Sequence, residues 1–273
     1  PTNPGPNSPV SIFIESFSTN LNKAYISWKV NGVTVLEGAG KTKLTFRTGN
    51  LGSKSTVLVS IAGEDGRSIS RSFIFEPAEV TLVAEALTYT PPFYKGQALY
   101  VPQASLKVVA FPDFVLSGGS RIAASNLSYT WRKDGKVLQA DSGFGKRSLL
   151  IEGSIIPRAM DIAVEVTAVG SALKATKVIS VKPDEPEILF YEDNLVLGPL
   201  WNKAIRNSLY LTGREISLRA EPYYISAWHA EDPALRYSWK VGNNPVAQDP
   251  NENSIGLRNE SDEEGQTRIS LNL

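Results

Sequence analysis

Apolar residues recur at alternate positions in short runs bounded by Gly, Pro, Asn and Asp along the chain, the pattern of half-buried strands joined by turns. Three of these runs carry a Trp ahead of a polar turn. They read Ile26-Ser27-Trp28-Lys29-Val30-Asn31-Gly32, Tyr129-Thr130-Trp131-Arg132-Lys133-Asp134-Gly135 and Tyr237-Ser238-Trp239-Lys240-Val241-Gly242-Asn243. The Trp residues lie 103 and 108 positions apart, close to the length of one β-sandwich domain, so the spacing predicts tandem domains.

Aligning outward from each Trp brings other runs into register. Before the Trp lie residues 10–14, 106–110 and 216–220; after it come 44–46, 149–151 and 255–257, beginning 16, 18 and 16 positions on. The next strands are 57–61, 162–166 and 269–273. In immunoglobulin lettering these are strands B, E and F around a strand C whose Trp enters the core between two sheets. Residues 69–75 and 173–181 read as strand G of the first and second copies, and 80–86 and 188–191 as strand A of the second and third. The expected fold class is all-β: three tandem immunoglobulin-like β-sandwiches in an elongated array, with domains at 1–77, 78–183 and 184–273.

The segment 1–9 holds Pro1, Pro4, Pro6 and Pro9 and predicts no strand A, because Pro cannot donate within a ladder. No strand G follows Leu273, so strand F of the third domain is expected at an open edge; either the residues beyond Leu273 are cut away or omitted, or an extended segment of a neighbouring subunit pairs there and builds a homopolymer. The junctions Phe75-Glu76-Pro77-Ala78-Glu79 and Lys182-Pro183-Asp184-Glu185-Pro186-Glu187 are short and contain Pro, which makes them stiff spacers. A semi-rigid rod is expected.

At 273 residues the chain has room for two or three domains, each with its own core. Its 28 basic and 28 acidic side chains balance, which removes the bulk electrostatic footprint of a nucleic-acid binder. No apolar run is long enough to span a membrane. Cys is absent, which excludes a disulfide framework, a thiol nucleophile and thiolate metal ligands. The chain begins at Pro1 without an initiator Met or signal peptide, so targeting information is missing from it. A Cys-free sandwich array fits a bacterial exterior or a cytosolic protein, and the architecture favours the exterior.

A Tyr or aliphatic residue two before a strand C Trp, then a turn with Asp or Asn beside Gly, resembles the bacterial immunoglobulin-like and polycystic-kidney-disease-like domains. The resemblance runs over essentially the whole chain at the level of strand pattern. The Trp-x-Phe-Gly-Asp-Gly turn of the kidney-disease-like domains is in no copy, nor is the Cys pair of antibody domains. The resemblance implies display, spacing or adhesion outside the cell.

Candidate chemistry is sparse. His229, the sole His, lies in a predicted loop with Glu231 and Asp232, a grouping with the residue types of acid–base or metal chemistry. With no second His and no Cys, zinc finds too few ligands there. Asp184, Glu185 and Glu187 at the second junction read as solvated surface, since consecutive acids on a strand point to opposite faces; the other reading is a calcium site, because calcium prefers such oxygens, and otherwise no cofactor is expected. The acidic run Glu260, Asp262, Glu263 and Glu264 reads as solvated loop. Insertions between strands A and B at 87–103 and 194–213 carry Tyr89, Phe93, Tyr94, Tyr100, Trp201 and Tyr210, and Trp228 follows in the third domain. Aromatics on loops are enriched at recognition surfaces, which makes these seven the candidate binding residues. The other reading is a side hairpin that turns its aromatics inward to cap the sandwich.

These observations point to a non-enzymatic structural, spacer or adhesive segment of a larger extracellular bacterial surface protein, with other protein subunits or envelope components as partners. The alternative is an accessory binding array attached to an enzyme or envelope secretion machine. No nucleophile motif is present, and no catalytic residue is assigned.

Overall fold

The computed structural model describes residues 3–17, 19–63, 66–171, 173–211, 213–260 and 265–273. Among them the only helix is one 3-10 turn, Ala124–Asn126; all other regular structure is strand. The chain divides into two compact units. One holds Pro1–Val83, Val108–Leu149 and Met160–Ser180, the other Ala84–Lys107, Leu150–Ala159 and Val181–Leu273.

In the first repeat, β1 (Pro9–Phe13) and β4 (Lys43–Arg47) form one antiparallel pair. The second sheet runs in the order β3-β2-β5-β6, where β2 is Tyr25–Val30, β3 Val33–Ala39, β5 Ser55–Ala62 and β6 Ser68–Phe75. Pro9 is tolerated because it is the first residue of its strand. Ile26 and Trp28 of β2, Leu44 of β4, and Val57 and Val59 of β5 form the core, and Ile12, Phe46 and Phe75 pack against it.

The second repeat has β7 (Glu79–Ala86), β8 (Leu106–Asp113) and β12 (Ser148–Ile151) in the sheet order β12-β8-β7. Its other sheet follows the order β10-β9-β13-β14, with β9 at Leu127–Lys133, β10 Lys136–Val137, β13 Met160–Ala168 and β14 Lys174–Val181; β11 (Gly143–Phe144) also pairs with β9. Val108, Trp131, Leu149, Ile162, Val164 and Val166 are all buried, the period-2 pattern of strands with one face inward.

In the third repeat, β15 (Glu187–Asn194), β16 (Gly198–Pro199), β17 (Glu215–Tyr223) and β20 (Ser254–Arg258) form a sheet in the order β16-β15-β17-β20. Its partner sheet is β19-β18-β21, from β18 (Ser238–Val241), β19 (Asn244–Pro245) and β21 (Ile269–Asn272). Leu218, Ala220, Tyr237, Trp239 and Ile255 make the core. With strands A, B and E in one sheet and C′, C, F and G in the other, each repeat has immunoglobulin-like strand order, less A in the first and G in the third among the described residues. Every strand expected from the sequence is present. The expectation omitted the C′ strands β3, β10 and β19, and also β11 and β16.

The Trp residues are equivalent. Trp28, Trp131 and Trp239 are 0%, 0% and 1% exposed. They stand opposite Val59, Val164 and Leu271 of the F strand. Each indole Nε1–H donates to the backbone carbonyl just ahead of strand E: Lys41 at 2.7 Å, Lys146 at 2.9 Å and Glu252 at 3.4 Å. An indole buried without an acceptor would forfeit a hydrogen bond, so this carbonyl is part of what makes Trp usable at the position.

The turn after the Trp is also shared. Asn31-Gly32 and Asp134-Gly135 take positive φ at both residues, as a two-residue hairpin turn with the sheet's own twist requires. The Asn31 and Asp134 side chains accept from the backbone N–H of Thr56 and Asp161, tying the turn to the start of strand F. In the third copy Gly242 leads, with φ 59° and no side chain to reach across; its N–H still donates to Arg268 at 2.7 Å.

Candidate functional site

The chemistry-bearing side chains of the second unit converge on the outer face of the β15–β17 pair. Along β17, Ile216, Leu218 and Ala220 face the sandwich core, so the alternation points Arg219, Glu221 and Tyr223 the other way. Tyr191 of β15 stands opposite Arg219, and Leu189 opposite Glu221, on that same outward face. In an ordinary sandwich this face meets water. Here it is covered.

The covering layer comes from residues 87–94 and Trp201. Tyr89 forms an antiparallel bridge with Ile225. Its N–H donates to the Ile225 carbonyl at 2.8 Å, and its carbonyl accepts from Tyr224 at 2.8 Å. Phe93 lies against Trp201 with ring centroids 4.7 Å apart and against Tyr191 at 6.2 Å, while Tyr191 meets Trp201 edge-on at 5.0 Å. Tyr94 contacts Tyr223 and Tyr224 at 5.7 and 5.6 Å. Edge-to-face pairs of this kind add about 0.5–1.5 kcal/mol each beyond the area they bury.

Polar groups within the layer find partners. The Tyr224 hydroxyl donates to that of Tyr94 at 2.6 Å, and the Tyr191 and Tyr223 hydroxyls are 2.9 Å apart. Tyr224 has φ 58°, a left-handed conformation costly for a bulky residue, and its backbone and hydroxyl bonds to the 87–94 segment hold it there. Glu221 is 2% exposed. Its Oε1 accepts the Tyr89 hydroxyl at 2.5 Å, and its Oε2 lies 3.7 Å from Arg219 Nε. Arg219 in turn binds Glu231 at 2.6 Å and lies 6.0 Å from the Trp201 ring centre.

Burial raises the pKa of the Glu221 carboxyl above its ordinary value; the Tyr89 hydrogen bond and the Arg219 charge oppose that, and Glu231 adds to it. Burial, then the bond to Glu221, raises the Tyr89 hydroxyl, and burial followed by the bond to Tyr191 does the same to Tyr223. Tyr224 is pushed up to about 12, first by burial and then by its bond to Tyr94. These phenols stay protonated, as donors, across the physiological range.

Of the candidate binding residues, Tyr89, Phe93, Tyr94 and Trp201 therefore meet in one cluster, turned toward β15 and β17. Tyr100 is buried, and its carbonyl accepts the Asp184 N–H. Tyr210 and Trp228 have no ring contact with the cluster and are each 87% exposed. The partners missing from the sequence reading are Tyr191, Arg219, Glu221, Tyr223 and Tyr224. A signal for them exists: Ile188-Leu189-Phe190-Tyr191 is an unbroken apolar run, the mark of a strand buried on both faces.

His229 is exposed, and its carbonyl accepts the Asp232 N–H. The Asp232 carboxylate is engaged by the backbone N–H groups of Ala234 and Trp228, which lower its pKa. At the second junction the Asp184 carboxylate accepts the Glu185 N–H. No group of three or more His, Asp or Glu suited to a metal ion occurs among the described residues, so Asp184, Glu185 and Glu187 are not assembled into one. Asp262, Glu263 and Glu264 lie outside the described residues. No helix among the described residues is long and apolar enough to cross a membrane.

No protein-family model matches the chain, and no curated protein does. Among solved structures it is similar to the fibronectin(III)-like modules of Clostridium thermocellum CbhA, with 10% identity over 67% of this chain and 88% of that one at a TM-score of 0.29. The three N-terminal domains of the highly immunogenic outer capsid protein of bacteriophage RB49 match at 14% identity over 99% and 93%, with a TM-score of 0.29. The central fibronectin-III array of RIM-binding protein matches at 11% over 98% and 92%, with a TM-score of 0.34. At such low identity and superposition, the fold rests on the strand order and cores described above.

Proposed function

We propose that this chain is a non-enzymatic structural, spacer or adhesive segment of a larger extracellular bacterial surface protein, built as three immunoglobulin-like domains with boundaries at 1–77, 78–183 and 184–273. The observation that carries the reading is the use made of the insertion aromatics. Tyr89, Phe93 and Tyr94, in the A–B insertion of the second repeat, cover the outer face of β15 and β17 in the third, as a stiff linkage needs. The engagement of Asp232 by backbone N–H groups, beside an exposed His229, supports a non-enzymatic role. An absence of Cys accords with a bacterial exterior.

Strand addition belongs to the same proposal. Ile269 and Leu271 of β21 are only partly buried, whereas their F-strand counterparts Val57, Val59, Ile162 and Val164 are buried. An extended segment of another subunit along β21 would cover them. If copies associate in this way, sedimentation of the chain will show assemblies that grow with concentration. A single species at all concentrations would remove this part of the reading.

Small-angle scattering tests the spacer itself. A compact globule of this length has a radius of gyration of about 19 Å; a spacer will exceed that clearly, and a value near it would overturn the proposal. The binding-array reading is favoured by one observation, the exposure of Tyr210 and Trp228. It requires that Tyr210→Ala and Trp228→Ala abolish retention on envelope material without changing the melting temperature.

A further inference from the structure

Glu221 does more than fill space. A carboxyl group on the nominally outer face of β17 is 2% exposed, with residues 87–94 lying over it, and Tyr89 closes that cover with a hydroxyl bond to the carboxylate. Were the segment to lift, Glu221 would become more exposed to water on the outer face of the sheet. Its solvation is therefore coupled to the docking of the segment, and a group whose solvation changes between two states binds its proton differently in each.

The groups that face Glu221 are identifiable on every side. Arg219 and Tyr223 come from its own strand, Tyr89 from the covering segment, Glu231 from the loop after β17, and Tyr237 from just before β18. Among them Arg219 is the only cation, and Glu231 already binds it at 2.6 Å, against 3.7 Å to Glu221. With both carboxylates ionised the group carries a net negative charge against a buried face. Protonating Glu221 leaves a neutral Arg219–Glu231 pair.

We propose that Glu221 is a pH-sensitive clasp, whose charge state sets how firmly residues 87–94 hold to the outer face of β17. The sign follows from the docked carboxyl binding its proton more tightly than the released one. Docking is strongest below the released group's pKa and weakens as pH rises through the higher, docked value. The clasp thus tightens in acid and relaxes toward neutrality, and it does so whichever role the array serves.

Amide hydrogen exchange on the full chain reads this directly, because the Tyr89 and Tyr224 N–H groups both bond across the docked interface. After correction for intrinsic exchange, their protection should fall as pH rises above the ordinary carboxyl value of 4.5, by up to about tenfold for each pH unit by which docking raises the Glu221 pKa. In Glu221→Gln that dependence should vanish while amides of β18 keep theirs. In Tyr89→Phe, which removes a bond favouring the carboxylate, the transition should move to higher pH. Protection in the unaltered chain that is independent of pH, the same dependence retained in Glu221→Gln, or an unmoved transition in Tyr89→Phe would each overturn the clasp.

Discussion

Replacing Trp131 with alanine is expected to destabilise its repeat by about 3–5 kcal/mol, the cost of deleting a fully buried large aromatic and leaving a cavity. The indole is 0% exposed and stands opposite Val164 on the neighbouring strand. Its loss also strands the Lys146 carbonyl, which accepts Nε1–H at 2.9 Å. A domain of this size holds only about 5–15 kcal/mol in total, so the variant loses a large part of its margin. Urea unfolding, with one transition assigned to each repeat, is the measurement. Trp131→Phe separates the two contributions: it keeps most of the packing and removes the donor, so about 1 kcal/mol is expected. An alanine variant with an unchanged midpoint would mean that the Trp recurrence does not mark the core.

That recurrence was the most legible feature of the chain, and the reason is local. The Trp, the strand around it and the Asn-Gly or Asp-Gly turn after it follow from alternation and turn chemistry within a few residues, and their repetition fixes the outer strands by register. The C′ strands were missed because β10 and β19 have only two residues each and β3 lies at an exposed edge, where alternation carries little information. The aromatic layer was legible only as a set of loop aromatics. Which way Tyr89, Phe93 and Tyr94 turn depends on β15 and β17, about a hundred residues further along the sequence. The outward polar position of Glu221 likewise reads as solvent-facing from its own strand. The covering segment, remote in sequence, contributes to its burial.

Gly153 carries the second large effect, and nothing in its surroundings in the sequence announces it. Glu152-Gly153-Ser154 follows β12 and reads as ordinary loop punctuation. In the fold, a Cβ at Gly153 would sit 2.0 Å from the Gln103 carbonyl oxygen, 2.4 Å from its carbon and 2.9 Å from the Ala104 carbonyl carbon. These are backbone atoms, so no rotamer change relieves the overlap. The Gln103 backbone is itself pinned: its N–H donates to Ser154 at 2.7 Å, its carbonyl accepts the Ser226 hydroxyl at 3.1 Å, and its φ is 64°. Gly153→Ala must therefore push the 103–104 strand entry and the 153–154 loop apart, breaking the Gln103–Ser154 bond and straining a residue already in the left-handed region. The expected loss is about 2–4 kcal/mol, in the range of backbone strain added to a broken hydrogen bond. Thermal melting of Gly153→Ala beside Gly213→Ala, where a Cβ meets nothing within 4 Å, isolates the contact from the general effect of removing a glycine. A Gly153→Ala variant that melts with Gly213→Ala would show that the two backbones do not approach as closely as described.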